Sequence, residues 1–342
     1  MRMLVLGVVG SLSVVNGCVL PAGKEDDGSG STNPGTSQGG TSGGATGAST
    51  EESGSWGTTT TGGEVVFRGG CSLADRVGGF AVTIEGDYSA FVGVVADGIV
   101  PITALETVGE GGGCVLLRRN NPICDPPCQP GKTCDFSGEC IPYPQNHDVG
   151  TVRVTGLVQP VEVMPVMATF DYYDTTLMHP AFAPGAAISL SAEGGDYSPF
   201  VLNGEGVAMI VPMTDQLTMK KGQPLRIEWA ASDGAGLVRV ELTIDQHGNT
   251  PVRLVCDGPD SGALEVPALL IAQLIDYGIS GFPSAQFYRQ TLDSIELEPG
   301  CVDFAVRSHD ETLLAVEGHT PCNKPADCPD GQVCDIKIQT CK

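Results

Sequence analysis

The chain is poor in aromatic residues and in positive charge, and both shortages exclude classes of function. Aromatic residues make up 6% of its 342 residues, and 18 Lys and Arg residues stand against 41 Asp and Glu residues, for a formal net charge of −23. A protein that binds nucleic acid needs a basic face to meet the phosphate backbone. The acidic balance therefore excludes a nucleic-acid partner and predicts a self-repelling surface.

Recognisable catalytic motifs are also missing. The histidines form no HExxH or HxH motif, and no glycine-rich phosphate loop opens a helix. Gly278-Ile279-Ser280-Gly281 lacks the spacing of a nucleophile elbow, and we interpret it as a helix end and a turn. The sequence predicts a protein that is not an enzyme and uses no cofactor or metal. A hydrolase or accessory carbohydrate-binding protein, with a site that forms only in the fold, is the alternative.

Long hydrophobic runs are missing beyond the N-terminus, where one short run occurs. The run from Leu4 to Val15 follows Arg2; it is too short to span a bilayer comfortably, which takes ~20 residues, and suits a signal-peptide core. It closes on Val15-Asn16-Gly17-Cys18, which resembles the bacterial lipobox, although Asn16 departs from the usual choice. We predict a signal peptide over residues 1–17 and lipidation of Cys18. An ordinary signal peptide followed by a structural cysteine is the alternative.

Residues 18–63 are predicted to be a disordered linker that begins at the lipidated cysteine. Of the 40 residues from 24 to 63, 28 are Gly, Ser or Thr, and such a segment has little to bury. By resemblance to Gram-negative lipoproteins, Val19 in place of an aspartate implies the outer membrane. The predicted location is thus the cell envelope, with the membrane as partner through the lipid anchor and a protein or glycan as a further partner.

The cysteines predict a disulfide framework. Lipidation of Cys18 leaves twelve of the thirteen cysteines, and exported proteins keep disulfides. Eight of the twelve form two modules that share the pattern Cys-x-x-Gly-x-x-Cys-Asp, at 120–144 and 319–342. Zinc is the weaker alternative, because the separations are mostly five or six residues and neither module contains histidine. The modules resemble truncated EGF-like repeats with four of the six cysteines.

Each module allows three pairings, and we predict the crossed one, because bonds between neighbouring cysteines would constrain little else. In the remaining chain we predict that each bond ties two strands of one sandwich. The predicted bonds are Cys124–Cys134, Cys128–Cys140, Cys322–Cys334, Cys328–Cys341, Cys71–Cys114 and Cys256–Cys301.

Short runs of alternating apolar residues recur from Phe80 onward, bounded by Gly, Pro, Asp or Asn. This pattern is typical of half-buried antiparallel strands and predicts an all-β fold. The predicted units are a β-sandwich over 64–204, with a cysteine module inserted at 120–144, and an Ig-like β-sandwich over 205–318. The module at 319–342 follows them. One helix is predicted after Pro267, ending at Gly278.

Two smaller signals refine this picture. Residues 245–249, DQHGN, are predicted to be a hairpin turn between strands at 238–244 and 251–255. EGDYSAFV (85–92) is similar to EGGDYSPFV (193–201), which suggests duplicated sandwich halves; chance similarity between glycine-rich strand ends is the alternative.

The lipobox, the linker and the patterns CDPPCQPGKTC, LVCDGPDSGALEVPALLI and GCVDF together resemble a group of uncharacterised myxobacterial envelope lipoproteins. The resemblance implies location and architecture and brings no known activity. The sequence therefore predicts a lipid-anchored envelope lipoprotein with a structural, adhesion or binding role.

Overall fold

The structure is a computed structural model that describes residues 67–100, 104–120, 122–234, 236–244 and 252–342. Across these residues strands dominate and a single α-helix occurs, which confirms the all-β fold. The predicted signal peptide, the lipidation site Cys18, the linker over 18–63 and the turn over 245–249 lie outside the described residues.

One large sheet organises the protein. Its strands follow the spatial order β3-β4-β15-β14-β17-β18-β1-β2-β9, and β12 pairs with β18 beside this path. The strands are β1 (Arg76–Glu85), β2 (Tyr88–Val95), β3 (Leu105–Gly111), β4 (Cys114–Arg119), β9 (Tyr172–Asp174), β12 (Gln216–Met219), β14 (Leu237–Thr243), β15 (Val252–Pro259), β17 (Ser284–Leu297) and β18 (Gly300–Val316).

Two smaller sheets and the helix cover one face of the large sheet. The four-stranded sheet contains β7 (Val152–Thr155), β8 (Val161–Val163), β10 (Ala187–Ala192) and β11 (Phe200–Glu205). The two-stranded sheet contains β13 (Leu225–Glu228) and β16 (Ala263–Val266), and α1 (Ala268–Asp276) follows it. β7 and β13 alternate strictly between buried and exposed residues, as strands of an outer layer should.

Two hydrophobic cores result, and β18 contributes to both. Val302, Phe304 and Val306 lie in the first core, between the large and the four-stranded sheets. Leu314 and Val316 lie in the second core, under the two-stranded sheet and α1. Even-numbered residues of a strand share one face, so both cores lie on the same face of the large sheet. The two predicted sandwiches are present as two cores on one shared sheet.

The predicted division between residues 204 and 205 is therefore wrong. β4, from the first predicted unit, pairs with β15 in the second core, and β18, from the second unit, pairs with β1 in the first. Alternation along a strand shows which side chains are buried but not which distant strand it will pair with. The division followed the order of the sequence, whereas the chain crosses between the two cores several times.

Two predicted disulfides are also wrong, because the chain passes between the two cores. Cys71 is bonded to Cys301 and Cys114 to Cys256, instead of Cys71–Cys114 and Cys256–Cys301. Cys114 lies directly opposite Cys256 in the pairing of β4 with β15. Cys301, the second residue of β18, pairs with Arg76, the first residue of β1, which lies a few residues after Cys71. Strand pairing over long sequence separations, rather than proximity along the chain, brings the sulfur atoms together.

The four bonds predicted within the modules are present: Cys124–Cys134, Cys128–Cys140, Cys322–Cys334 and Cys328–Cys341. Each module is built on one short hairpin, β5 (Lys132–Cys134) with β6 (Cys140–Pro142) and β19 (Cys334–Asp335) with β20 (Thr340–Cys341). The shared glycines Gly131 and Gly331 have φ of 83° and 87°, a left-handed conformation that favours glycine. The common sequence pattern thus produces a common disulfide topology.

The helix occurs where the sequence predicts it. Leu270, Ile271 and Leu274 are buried, whereas Leu269 is 67% exposed. Gly278, at φ 106°, follows the helix end as predicted.

The two similar segments at 85–92 and 193–201 each join a pair of antiparallel strands. The first joins β1 to β2, and the second joins β10 to β11 in the facing sheet. Phe91 and Phe200, which occupy matching positions in the two segments, both lie within 6.2 Å of Phe80, between ring centroids, in the first core. The similarity therefore corresponds to two hairpins that meet across one core.

A buried ion pair lies on the core-side face of β17, beside the loops that link the cores. Arg289 and Asp260 are 3% and 4% exposed, with 2.7 Å between Nε and Oδ2. The guanidinium also donates to the carbonyls of Met209 and Ala230, and Trp229 Nε1 donates to Asp260 Oδ1 over 2.7 Å. Nearly every polar atom of the pair is thus bonded, which is the condition for a stable buried charge pair.

Candidate binding face

The second face of the large sheet carries polar side chains where the first carries the cores. We call this second face the open face. It consists of the odd-numbered residues of β18 from Ala305 to Leu313, together with the residues of the neighbouring strands that pair with them. One row of directly paired residues crosses six of its strands. The row consists of Tyr88 (β2), Glu85 (β1), His309 (β18), Tyr288 (β17), Arg239 (β14) and Asp257 (β15).

The members of this row contact one another along its length. Tyr88 Oη donates to Glu85 Oε2 over 2.7 Å, and His309 Nδ1 lies 3.1 Å from the same oxygen. The His309 and Tyr288 rings stack with centroids 4.7 Å apart. Arg239 donates twice to Asp257, over 2.7 and 2.8 Å. The row therefore joins aromatic rings to charged groups across six neighbouring strands.

Arg307 differs from the other arginines of the open face. Its Nε donates to Thr83 Oγ1 over 2.9 Å, and its guanidinium carbon lies 5.0 Å from the centroid of the Tyr288 ring. Arg239 and Arg253 form ion pairs on this face, whereas Arg307 forms none with any residue that the structure describes. Its partly exposed guanidinium thus keeps donors for a ligand.

Two neighbours of Arg307 are buried and incompletely bonded. Gln290 lies directly opposite Arg307 on β17 and is 2% exposed, and its Nε2 has no hydrogen-bond partner. His309 is 8% exposed; its Nδ1 lies 3.1 Å from Glu85 Oε2, but neither ring nitrogen makes a hydrogen bond. Buried polar atoms are almost always bonded, so this group is unusual.

The hydroxyls of Tyr288 and Tyr88 stay protonated at neutral pH. Burial, followed by the charge of Glu241, raises the pKa of Tyr288 to about 12. Burial, followed by the hydrogen bond to Glu85, raises the pKa of Tyr88 to about 12. Tyr288 Oη accordingly donates to Gln286 Oε1 over 2.6 Å. At neutral pH the face offers neutral hydroxyls beside amides, an imidazole and a guanidinium.

A Ser–His contact occurs away from this face and has a structural role. Ser89 Oγ lies 3.0 Å from His179 Nδ1 and accepts a hydrogen bond from the Ala181 N–H over 3.1 Å. Ser89 is 1% exposed, and its hydroxyl is held between the His179 ring and the Ala181 N–H. The contact fastens the segment around residue 180 to β2.

The remaining described histidines also have local roles. His319 Nε2 lies 2.9 Å from the Gly281 carbonyl, where the last module meets the second core, and His147 lies between two carboxylates. His247 lies outside the described residues. The cysteine groups that could resemble metal sites consist of disulfide-bonded cysteines, joined in one case by Asp303.

His147 should make stability depend on pH. Its Nδ1 lies 3.0 Å from Asp196 and its Nε2 lies 3.2 Å from Asp97. Burial lowers the pKa of His147, but its hydrogen bonds to the two carboxylates outweigh this and hold the pKa above its ordinary value. A raised folded-state pKa gives stabilisation that is complete below the unfolded value of about 6.5 and is lost as pH rises through the folded value.

We therefore expect His147→Gln to lower Tm more at about pH 6 than at about pH 9, as measured by thermal unfolding. The same substitution in an Asp97→Asn/Asp196→Asn background serves as control and should show little pH dependence. A difference in Tm that stays constant across this range would contradict the role of the protonated imidazole.

Sequence reasoning missed the open face. It named no residue among Tyr288, Gln290 and Arg307, although these polar residues alternate along β17 and β18 with residues that face the cores. That alternation is a usable signal. The pairing of β18 with β1, which adds Thr83 and Glu85 to these residues, involves positions more than 200 apart in the chain, whereas β17 and β18 follow each other in sequence.

Comparison with known proteins identifies no family for this chain. No family model matches the chain, and no curated protein matches it. One solved structure, the FN1–FN3 domains of chicken CNTN1, is 11% identical over 65% of this chain and 68% of that chain, with a TM-score of 0.17. A similarity at this level supports no conclusion about this protein.

Proposed function

We propose that this protein is a lipid-anchored, non-enzymatic binding protein of the cell envelope that uses its open face to bind a ligand. The observation that carries the proposal is the six-strand polar row with the partly exposed Arg307 beside it. Both cores occupy the opposite face of the sheet, so the open face is not needed to bury apolar surface.

The disulfides support an extracytoplasmic location. Six bonds connect all the described cysteines, and such bonds persist in oxidising compartments. The protein is therefore of the secreted or envelope-exposed kind. In the part of the chain that the structure describes, no helix has the length and apolar character needed to cross a bilayer.

The anchor is proposed on the N-terminal sequence and on physical grounds. Each buried acyl CH₂ contributes ~0.8 kcal/mol, so that a single chain holds a protein marginally whereas two or three hold it firmly. The Gly/Ser/Thr-rich composition of residues 24–63 is typical of a tether between an anchor and a folded body. The lipobox-like segment and the linker thus fit one purpose.

Replacing Cys18 with Ser tests the anchor. We expect Cys18→Ser to remove acylation and to move the protein from the membrane fraction to the soluble fraction, because the residue that carries the acyl chains is lost. Fractionation and intact-mass measurement report the two effects.

Asn16→Ala is the matched control, since it changes the same segment without removing the acceptor, and it should remain in the membrane fraction. A Cys18→Ser protein that still requires detergent for extraction would refute the anchor.

A further inference from the structure

The unbonded atoms on the open face form one group. Gln290 and His309 are diagonal neighbours on β17 and β18, and Arg307 lies beside both. The group has surplus donors from the Gln290 amide and the Arg307 guanidinium, and the His309 ring adds two nitrogen atoms that make no hydrogen bond. An unpaired buried polar group costs about 1–3 kcal/mol, so a fold keeps such atoms where a ligand can satisfy them.

The charges nearby restrict the ligand. Glu85 lies 3.1 Å from His309, and Glu241 raises the pKa of Tyr288 by its charge, so an anion at Arg307 would be repelled from two sides. The overall charge of −23 opposes an anion as well. A metal ion would need several convergent oxygen or nitrogen ligands, whereas these groups are mainly donors. A neutral ligand remains.

The chemistry of the surface matches hydroxyl groups. Hydroxyls both donate and accept, so neighbouring hydroxyls can accept from Arg307 and Gln290 and donate to Glu85. The four strands from β1 to β14 span roughly 14 Å at the usual interstrand spacing, which is wider than a single small molecule requires.

We propose that the group Arg307, Gln290 and His309, with Thr83 and Tyr288 at its margin, binds a neutral glycan. This inference rests on the proposed binding role and names its ligand class. Binding draws the guanidinium toward sugar hydroxyls and opens the amide of Gln290 to them. The Tyr288 ring, held between Arg307 and His309, positions both groups.

Titration calorimetry of the purified full-length protein in detergent tests the proposal, with cellohexaose, laminarihexaose and maltohexaose as probes. We expect at least one hexasaccharide to bind, and Gln290→Leu and Arg307→Met each to weaken binding by about tenfold or more, as the loss of a hydrogen bond to a ligand does. Arg226→Met is the matched control, because Arg226 is an exposed residue of β13 in the other layer. It should leave binding unchanged.

A stability measurement separates a ligand-binding role from a structural one. If Gln290 serves the ligand, Gln290→Leu should leave Tm unchanged or raise it, because it removes an unpaired buried amide. A structural glutamine would lower Tm on replacement.

Four outcomes would overturn the glycan proposal. The first two are that none of the three probes binds, or that Gln290→Leu and Arg307→Met both bind as tightly as the wild type. The other two are a lower Tm for Gln290→Leu, or binding of a neutral peptide as tight as that of a hexasaccharide. None of them bears on the Cys18 experiment. A protein that leaves the membrane fraction on Cys18→Ser but binds no hexasaccharide would keep its anchor and lose this ligand class.

Discussion

Replacing Arg289 with methionine should lower the free energy of unfolding by about 3–5 kcal/mol, because it leaves the charge of Asp260 buried and unpaired. Both side chains are at most 4% exposed. The guanidinium also bonds the carbonyls of Met209 and Ala230, which would lose their partner. Denaturant unfolding of the wild type and the variant measures the difference.

Two further variants sharpen this test. Asp260→Asn combined with Arg289→Met removes both charges and should recover part of the loss, since the penalty comes from the unpaired charge. Arg226→Met breaks an exposed pair, at 65% and 53% exposure, and should change stability by less than about 1 kcal/mol. If Arg289→Met lowered the free energy of unfolding as little as Arg226→Met, the buried pair would not stabilise the region between the two cores.

Loss of the Cys71–Cys301 bond should lower the free energy of unfolding by an amount similar to that expected for Arg289→Met. The two cysteines are 230 residues apart, and the loop-closure model gives about 5 kcal/mol for a loop of this length. We expect Cys71→Ser/Cys301→Ser to lower the Tm of the main unfolding transition, measured by calorimetry of the oxidised protein.

The double variant Cys128→Ser/Cys140→Ser is the control, because that bond spans 12 residues within a module that contributes no residue to either core. It should leave the main transition in place. Equal effects of the two double variants on that transition would contradict the assignment of Cys71–Cys301 to the large sheet.

The features that sequence reasoning reached are local ones. Alternating runs such as Val238–Ile244 revealed strands, and the repeated Cys-x-x-Gly-x-x-Cys-Asp pattern revealed both modules and their bonds, because each feature lies within about 20 residues. Hairpins joined by short turns were also accessible. The partners of Cys71 and Cys114 were not, since they depend on pairing across 230 and 142 residues.

The open face failed to emerge from the sequence for a related reason. Arg307, Gln290 and Thr83 are ordinary polar residues of half-buried strands, and each taken alone indicates a solvent-facing position. Their meaning comes from the parallel pairing of β1 with β18 and the antiparallel pairing of β17 with β18, which place them side by side. The absence of a catalytic motif carried no information about such a surface.

The strand shared by both cores has a consequence for how the protein matures. As the chain is made from its N-terminus, β1 and β14 emerge long before β18, which covers residues 300–316 of 342. Until then the first core lacks its central strand, and β1 presents an unpaired edge of the kind that promotes aggregation. Several other cysteines are also synthesised between Cys71 and its partner Cys301, and each could bond to Cys71 first. Correct maturation therefore depends on Cys71 staying free of the cysteines that precede Cys301 until β18 is present.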